Sequence, residues 1–319
     1  MPGALALGLD RPAEADTRRL AAFVAHAFGP ATVALIHYGS HAQHSAVSPD
    51  SARDFFVILD DYPSAYRALA ATLDTRFRPG TASLLNRVLP PNVLSLKEPG
   101  AAPVAKCAVL SLADLIRGCS AGARDQFVRG RLFQQIQLVW VRDARARDAV
   151  TAALVEARHC TFGWVRPFLP PHFDTHAYCL EMLRVSYAQE IRPEGHERLA
   201  ALLEDQSATL LPMYGALLTD LAARGVLVRE PDGYRDTAAP GAWARARQQL
   251  WFTVSKLRAT LRWAKYIALY DDWLDYVVRK VERRSGVRME LTSRERRWPL
   301  IFLWPRAVRF LLTRPQRRK

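Results

Sequence analysis

Val33-Ala34-Leu35-Ile36-His37-Tyr38-Gly39-Ser40, followed by Asp54-Phe55-Phe56-Val57-Ile58-Leu59-Asp60-Asp61, decides the fold class of this chain. Each segment opens on a short apolar run with β-branched residues, which reads as a buried strand. Gly29-Pro30 and Gly39 bound the first run, and the polar residues 40–53 between the two read as a loop. Working outward, Thr17–Phe28 carries Leu20, Phe23, Val24 and Phe28 on one helical stripe, and Ser64–Phe77 reads as a second helix. Pro79–Pro103 holds five prolines and reads as loop with a short strand at Val93–Leu96. Strands are expected at Lys106–Leu110 and Ile136–Val141, with helices at Leu112–Cys119 and Gly122–Gly130. The first 145 residues thus read as a mixed α/β domain.

From Ala146 to Ala223 the pattern is helical, broken at Pro167–Pro171 and near Pro193–Gly195. Then Val226–Arg229, a turn at Pro231-Asp232-Gly233 and Tyr234–Asp236 spell a β-hairpin. Helices followed by a hairpin look like a winged helix, giving a second domain over 146–240. Residues 241–319 read as a helical extension, aromatic-rich over Ala242–Arg284, that ends in a basic tail.

The chain has 319 residues and a formal charge of +14, and half of it is apolar, a folded composition that excludes wholesale disorder. Between Arg279 and Lys319 there are 14 Lys+Arg against 3 Asp+Glu, so nearly all of the excess belongs to the tail. A tail of this kind calls for a polyanion, either a membrane surface or a nucleic acid. Trp298–Leu312 is a 15-residue apolar run that carries Arg306 and Arg309, too short and too charged to span a bilayer. Trp and Phe beside Arg suit the headgroup region, and each basic residue near an anionic surface adds ~1 kcal/mol. The alternative is an amphipathic helix packed on its own core. Membrane attachment is the favoured reading over nucleic acid, because the basic residues lie beyond the wing and are not interleaved through it. The four cysteines form no CxxC pair, which excludes a zinc ribbon or a disulfide scaffold and favours a reducing compartment. The start of the chain has no basic region before an apolar stretch and reads as no secretory signal. The histidine spacings 37/41/44 and 172/176 come without Cys or Glu partners and read as polar surface.

Strand, Gly39-Ser40, loop and then Asp54 opening a second strand is an arrangement that resembles the nucleotidyltransferase superfamily of DNA polymerase β type. A Gly-Ser turn lets backbone approach a triphosphate, and a carboxylate on the next strand suits Mg²⁺. Taken alone, the same residues better describe a strand turn with a surface Ser and a capping Asp. The usual second carboxylate, two residues on, is Phe56.

Further elements follow in order: Asn92, Ala105-Lys106-Cys107-Ala108-Val109, Leu112-Ala113-Asp114-Leu115, Gly130-Arg131-Leu132 and Leu183–Arg192. With Tyr38-Gly39-Ser40 and Asp54-Phe55, this ordered set over residues 36–215 resembles the phosphatidate cytidylyltransferases of the mitochondrial matrix, the translocator assembly and maintenance family. The resemblance implies CTP as substrate, Mg²⁺ as cofactor, phosphatidate as acceptor and CDP-diacylglycerol with pyrophosphate as products. It implies Asp54 and Glu190 as metal ligands. Glu190 would alternatively activate the attacking phosphate, or pair with Arg184 or Arg192 on a helix surface. Lys106 would meet the triphosphate, or else sit at a solvated strand end. Gly39, Ser40 and His41 would lie along the nucleotide phosphates. Arg192 and Arg131 would clamp pyrophosphate or the lipid phosphate, and Arg131 equally suits a domain-interface anchor. Asp60 and Asp61 read as a cap or turn before metal ligands. The chain departs from the family at His41, Cys107-Ala108, Gln189-Glu190 and Gln134-Gln135. The alternatives are nucleotidyl transfer to RNA or a polar small molecule, and a non-catalytic winged helix that grips nucleic acid. No Arg-rich segment opens the chain, so the expected setting is bacterial and cytoplasmic, peripheral on the inner face of the membrane.

Overall fold

The computed structural model describes residues 2–43, 51–72, 77–100, 103–188, 196–269 and 291–297. Residues 1–265 make one compact unit and residues 266–319 a second.

The first unit opens with helices α1 (Pro2–Leu5) and α2 (Ala15–Phe28), then strands β1 (Thr32–Tyr38) and β2 (Arg53–Leu59). Helices α3 (Tyr62–Thr72) and α4 (Pro79–Val88) lead to β3 (Asn92–Lys97) and β4 (Val104–Ser111). Next come α5 (Leu112–Cys119), the short α6 (Arg129–Leu132), β5 (Gln137–Val141) and α7 (Ala144–His159). The helical part holds α8 (Thr161–Val165), β6 (His172–Phe173), α9 (Thr175–Ala188) and α10 (His196–Ala223). It continues through the hairpin β7 (Val228–Glu230) and β8 (Gly233–Arg235) to α11 (Ala242–Leu269). In the second unit, Ser293–Arg297 is helical, with Thr292 and Glu295 in a reciprocal capping box.

The protein is mixed α/β with a mixed five-stranded sheet of order β3-β4-β2-β1-β5. β1 and β2 are antiparallel neighbours. β2 and β4 are parallel, and a connection through α3, α4 and β3 makes the return that parallel strands require. Strands buried on both faces read as continuous apolar runs, and for that reason β1 and β2 were legible. By strand alternation, Ile36, Phe56, Ile58, Ala108 and Leu110 share one face, packed against Leu115 of α5 and against Val150, Leu154 and Ala157 of α7. The sheet's core therefore runs past residue 145 into α7. A second cluster joins α8, α9 and α10 to the hairpin, with Tyr178, Met182, Tyr214 and Leu217 fully buried. The hairpin forms where Pro231-Asp232-Gly233 announced it, and β6 adds a third strand. Arg166 closes this sheet with a bidentate pair to the buried Asp236 at 2.6 and 2.7 Å.

Two local expectations fail. Residues 79–88 form α4, because Pro79 stands at the first turn, where a missing N–H costs nothing. Residues 122–128 are turns rather than helix, and only Arg129–Leu132 winds up. Pro212 sits inside α10 without ending it. Among the described residues no helix is long and apolar enough to cross a membrane, and all four cysteines are free thiols.

Candidate functional site

The sheet brings the quoted residues to one end. Tyr38, the last residue of β1, pairs with Asp54 near the start of β2, and Asp54 pairs in parallel register with Lys106 on β4. The Lys106 Nζ lies 3.8 Å from Asp54 Oδ1, with the lysine side chain half-exposed and the carboxylate about one-quarter exposed. A pair this open to water contributes little stability, about 0–1 kcal/mol. Gly39 turns the chain over this pair. Its φ is +81°, and a Cβ there would meet Asp54 Oδ2 at 3.0 Å. Only glycine fits that turn without strain.

The loop start is pinned rather than free. Gly39 C=O accepts from the Ala42 N–H at 3.0 Å, and Ala42 C=O accepts from Arg11 Nη2 at 3.0 Å and Gln135 Nε2 at 2.8 Å. Gln43 Nε2 donates to Gln134 Oε1 at 2.7 Å. Gln135 is fixed in turn by Thr209 Oγ1, which donates at 2.8 Å, and by its own N–H to Gln206 Oε1 at 3.0 Å. Buried amides thus tie the turn after Ser40 to α10. Sequence reasoning noted Gln134-Gln135 only as a departure. The signal was two adjacent amides in an apolar context, which must find partners when buried.

His41 faces elsewhere. Its Nε2 contacts Ser51 Oγ and Arg53 Nη1, and Arg53 reaches Glu14 at 3.4 Å. Arg53 leaves β2 on the face opposite Asp54, so the His41 ring is engaged away from the carboxylate. Burial, ahead of the Arg53 charge, lowers its pKa. His37 is buried with Nδ1 2.9 Å from Gln137 Oε1, and desolvation lowers its pKa to about 4. His172 pairs with Glu230 at 2.8 Å. These histidines are spent on protein partners. His44 lies outside the described residues, as do Glu190 and Arg192.

Phe56, at the position of the usual second carboxylate, is fully buried between Tyr38 (ring centroids 4.5 Å) and the edge of Phe127 (6.3 Å). Arg131 lies over Phe127 at 4.2 Å and donates to its carbonyl at 2.9 Å. Arg131 is therefore carried on the aromatic layer that floors the Asp54 face. Beside it Gly130 is a packing position, where a Cβ would meet Gln126 Cγ at 2.8 Å and Ser186 Oγ at 3.2 Å. Other matched positions are structural. Asn92 is buried and donates to Tyr66 Oη at 2.9 Å and Ala82 C=O at 2.8 Å. Ser111 caps α5 by accepting from the Asp114 N–H, and the Asp114 carboxylate accepts from Ser111 Oγ and Tyr62 Oη. Asp60 meets Arg142, and Asp61 accepts from the Ser64 N–H at 2.9 Å, as turn and cap residues do.

No protein-family model matches this chain, and no curated protein matches its sequence.

A magnesium ion is commonly held by one or two carboxylates, with substrate phosphates completing the shell. Among the described residues Asp54 is the carboxylate set in register with Lys106 at this end of the sheet. Asp54 fits a single ion on those terms, and Phe56 supplies nothing to a second. Chemically, the described site is a carboxylate, a cation and a glycine-opened turn at one sheet end.

Proposed function

We propose that this protein is a phosphatidate cytidylyltransferase of nucleotidyltransferase fold, with a winged-helix-like second part and a membrane-binding C-terminal tail. The observation that carries the reading is the register that sets Asp54 against Lys106 beneath Gly39. It puts a candidate metal ligand and a phosphate-binding cation side by side at a turn open to backbone approach.

In the reaction, an oxygen of the lipid phosphate attacks the α-phosphorus of CTP. The bond from that phosphorus to the bridging oxygen breaks, and pyrophosphate leaves with its electron pair. Asp54, with Glu190 as the second carboxylate, would hold Mg²⁺, which neutralises phosphate charge during in-line displacement. Lys106 places a point charge on the triphosphate, and the Ser40 hydroxyl and the turn's N–H groups bind phosphate oxygens. Arg131, and Arg192 from the resemblance, clamp pyrophosphate or the lipid phosphate. Catalysis is mostly alignment and charge stabilisation. The tail, residues 294–319, brings the enzyme to the anionic surface that contains its acceptor, on the cytoplasmic face of the membrane.

The test is pyrophosphate release from CTP, ATP, GTP and UTP with Mg²⁺, with and without phosphatidate in mixed micelles. Release from CTP that depends on phosphatidate, with a CDP-lipid product, is the expected result. Release with another acceptor keeps the chemistry and discards the lipid. No release with any nucleotide overturns the enzyme and leaves a fold that binds without turnover.

A further inference from the structure

A second basic site lies on the same sheet face, away from Asp54. The cleft is walled by Arg87 of α4, Arg117 of α5, Arg124 of the following turn, and Arg258 and Arg262 of α11. Its floor includes Leu110 of β4, four residues beyond Lys106 and so about 13 Å along the strand. The cleft lies beyond Lys106 along β4 and borders the proposed reaction centre on its Arg131 side, because Arg131 and Arg262 both lie over the Phe127 ring, at 4.2 and 4.8 Å.

Two carboxylates offset the five arginines. Asp125 accepts from Arg258 at 3.0 Å and Arg262 at 2.7 Å, and Asp114 meets Arg117 at 3.3 Å. The balance remains cationic. Arg262 is only 8% exposed and donates to Pro90 C=O through Nε and Nη2, and its Nη1 has no acceptor among the described residues. The Arg262 guanidinium also lies over the Phe127 ring at 4.8 Å, so it braces the cleft wall from within, and the exposed Arg87 and Arg124 at the rim supply the positive charge an anion would meet.

The apolar surface around the cleft identifies the anion's source. Among the described residues, most of the large hydrophobic side chains left exposed sit on the elements that wall it. Leu84 and Val88 of α4 are 62% and 68% exposed, and Ile116 of α5 stands beside Arg117. On α11, Leu250, Val254, Leu257 and Leu261 recur every three or four residues, a stripe next to the face that holds Arg258 and Arg262, and Trp243 continues it. Arginine among aliphatic side chains with a flanking Trp matches a headgroup layer above acyl chains. Single-stranded nucleic acid would call for a row of aromatic platforms instead.

We propose that this face docks on an anionic phospholipid bilayer, with one headgroup phosphate seated in the arginine cleft and the aliphatic side chains of α4, α5 and α11 entering the interface. It is a second membrane contact, belonging to the first unit and additional to the tail. It requires no nucleotidyl transfer, so its test and the pyrophosphate assay fail independently.

The experiment is co-sedimentation of the full chain with phosphatidylcholine vesicles, with and without phosphatidylglycerol. Arg87→Glu/Arg124→Glu reverses two exposed rim charges, and Leu84→Ser/Leu257→Ser removes the aliphatic rim. Each double variant is expected to bind the phosphatidylglycerol vesicles about tenfold more weakly than wild type, at an unchanged melting temperature. Arg87→Gln/Arg124→Gln is the milder pair should the charge reversal disturb folding. Wild-type binding by both variants would overturn the proposal, leaving the tail as the sole contact. Loss with the arginine pair alone would overturn the entry of the aliphatic side chains, leaving a purely electrostatic contact, and loss with the leucine pair alone would overturn the headgroup seat in the arginine cleft.

Discussion

Asp54 and Lys106 meet because parallel register places them side by side, and Gly39 leaves room above them. The proposed chemistry needs the charge of Asp54 rather than its volume. Asp54→Asn is expected to lower pyrophosphate release from CTP by at least about 10²-fold while vesicle binding and melting temperature stay near wild type. A near-normal rate would show the metal site to be misplaced. His37 gives a prediction of pH dependence. Its folded pKa, about 4, lies below the ordinary value of 6.5 because burial disfavours the charged ring. Between those values the unfolded chain binds the extra proton. Stability is therefore complete above about pH 6.5 and falls as pH drops towards 4, by up to about 3 kcal/mol from this residue. Urea unfolding at pH 7 and pH 4.5 checks this. His37→Gln should lose less stability between the two than wild type. The places of Gly39, Asp54 and Lys106 at strand ends were legible from the apolar runs they bound. The engagement of His41 with Arg53 was not, since it depends on which face of β2 the ring meets.

At the level of elements, the turn after β1 is set by α10, which follows it by more than 150 residues. Gln135 bridges the two, between Ala42 C=O and Thr209 Oγ1. Gln135→Ala should cost about 1–3 kcal/mol by leaving buried polar groups unpaired. It should also raise the KM for CTP more than it lowers kcat, because it loosens the phosphate-binding turn without touching the reacting atoms. A variant with lowered stability and wild-type kinetics would separate this network from the site. The strands of the five-stranded sheet and most helices were readable from apolar period, and the hairpin from its Asp-Gly turn, while α1 and β6 are too short to show a period and were not. The exception at α4 has a local cause, since Pro79-Gly80 resembles loop chemistry until the helix it starts is seen. The exception at residues 122–128 has a tertiary cause. Asp125 accepts from Arg258 and Arg262 of α11, partners no local window contains.

For the molecule as a whole, the positive charge is concentrated in a C-terminal segment, most of which lies outside the described residues. Removing residues 294–319 should weaken binding to anionic vesicles by more than about tenfold and flatten its salt dependence, with activity persisting on detergent-dispersed lipid. Unchanged vesicle affinity would assign membrane contact to residues 1–265 alone. By itself the sequence determined the mixed α/β class, the two central strands, the hairpin after α10 and the lopsided charge. Each of these follows from apolar period, turn residues or a count of ionisable groups, which act over a few residues or over none. Only the tertiary structure decided that Asp54 faces Lys106, that Phe56 floors the site, and that Gln134 and Gln135 hold its turn. It also gathered five arginines from α4, α5, α11 and one turn around a single cleft. Those facts depend on strand register and on packing between distant segments, where burial forces each polar group to find a partner that local pattern does not name.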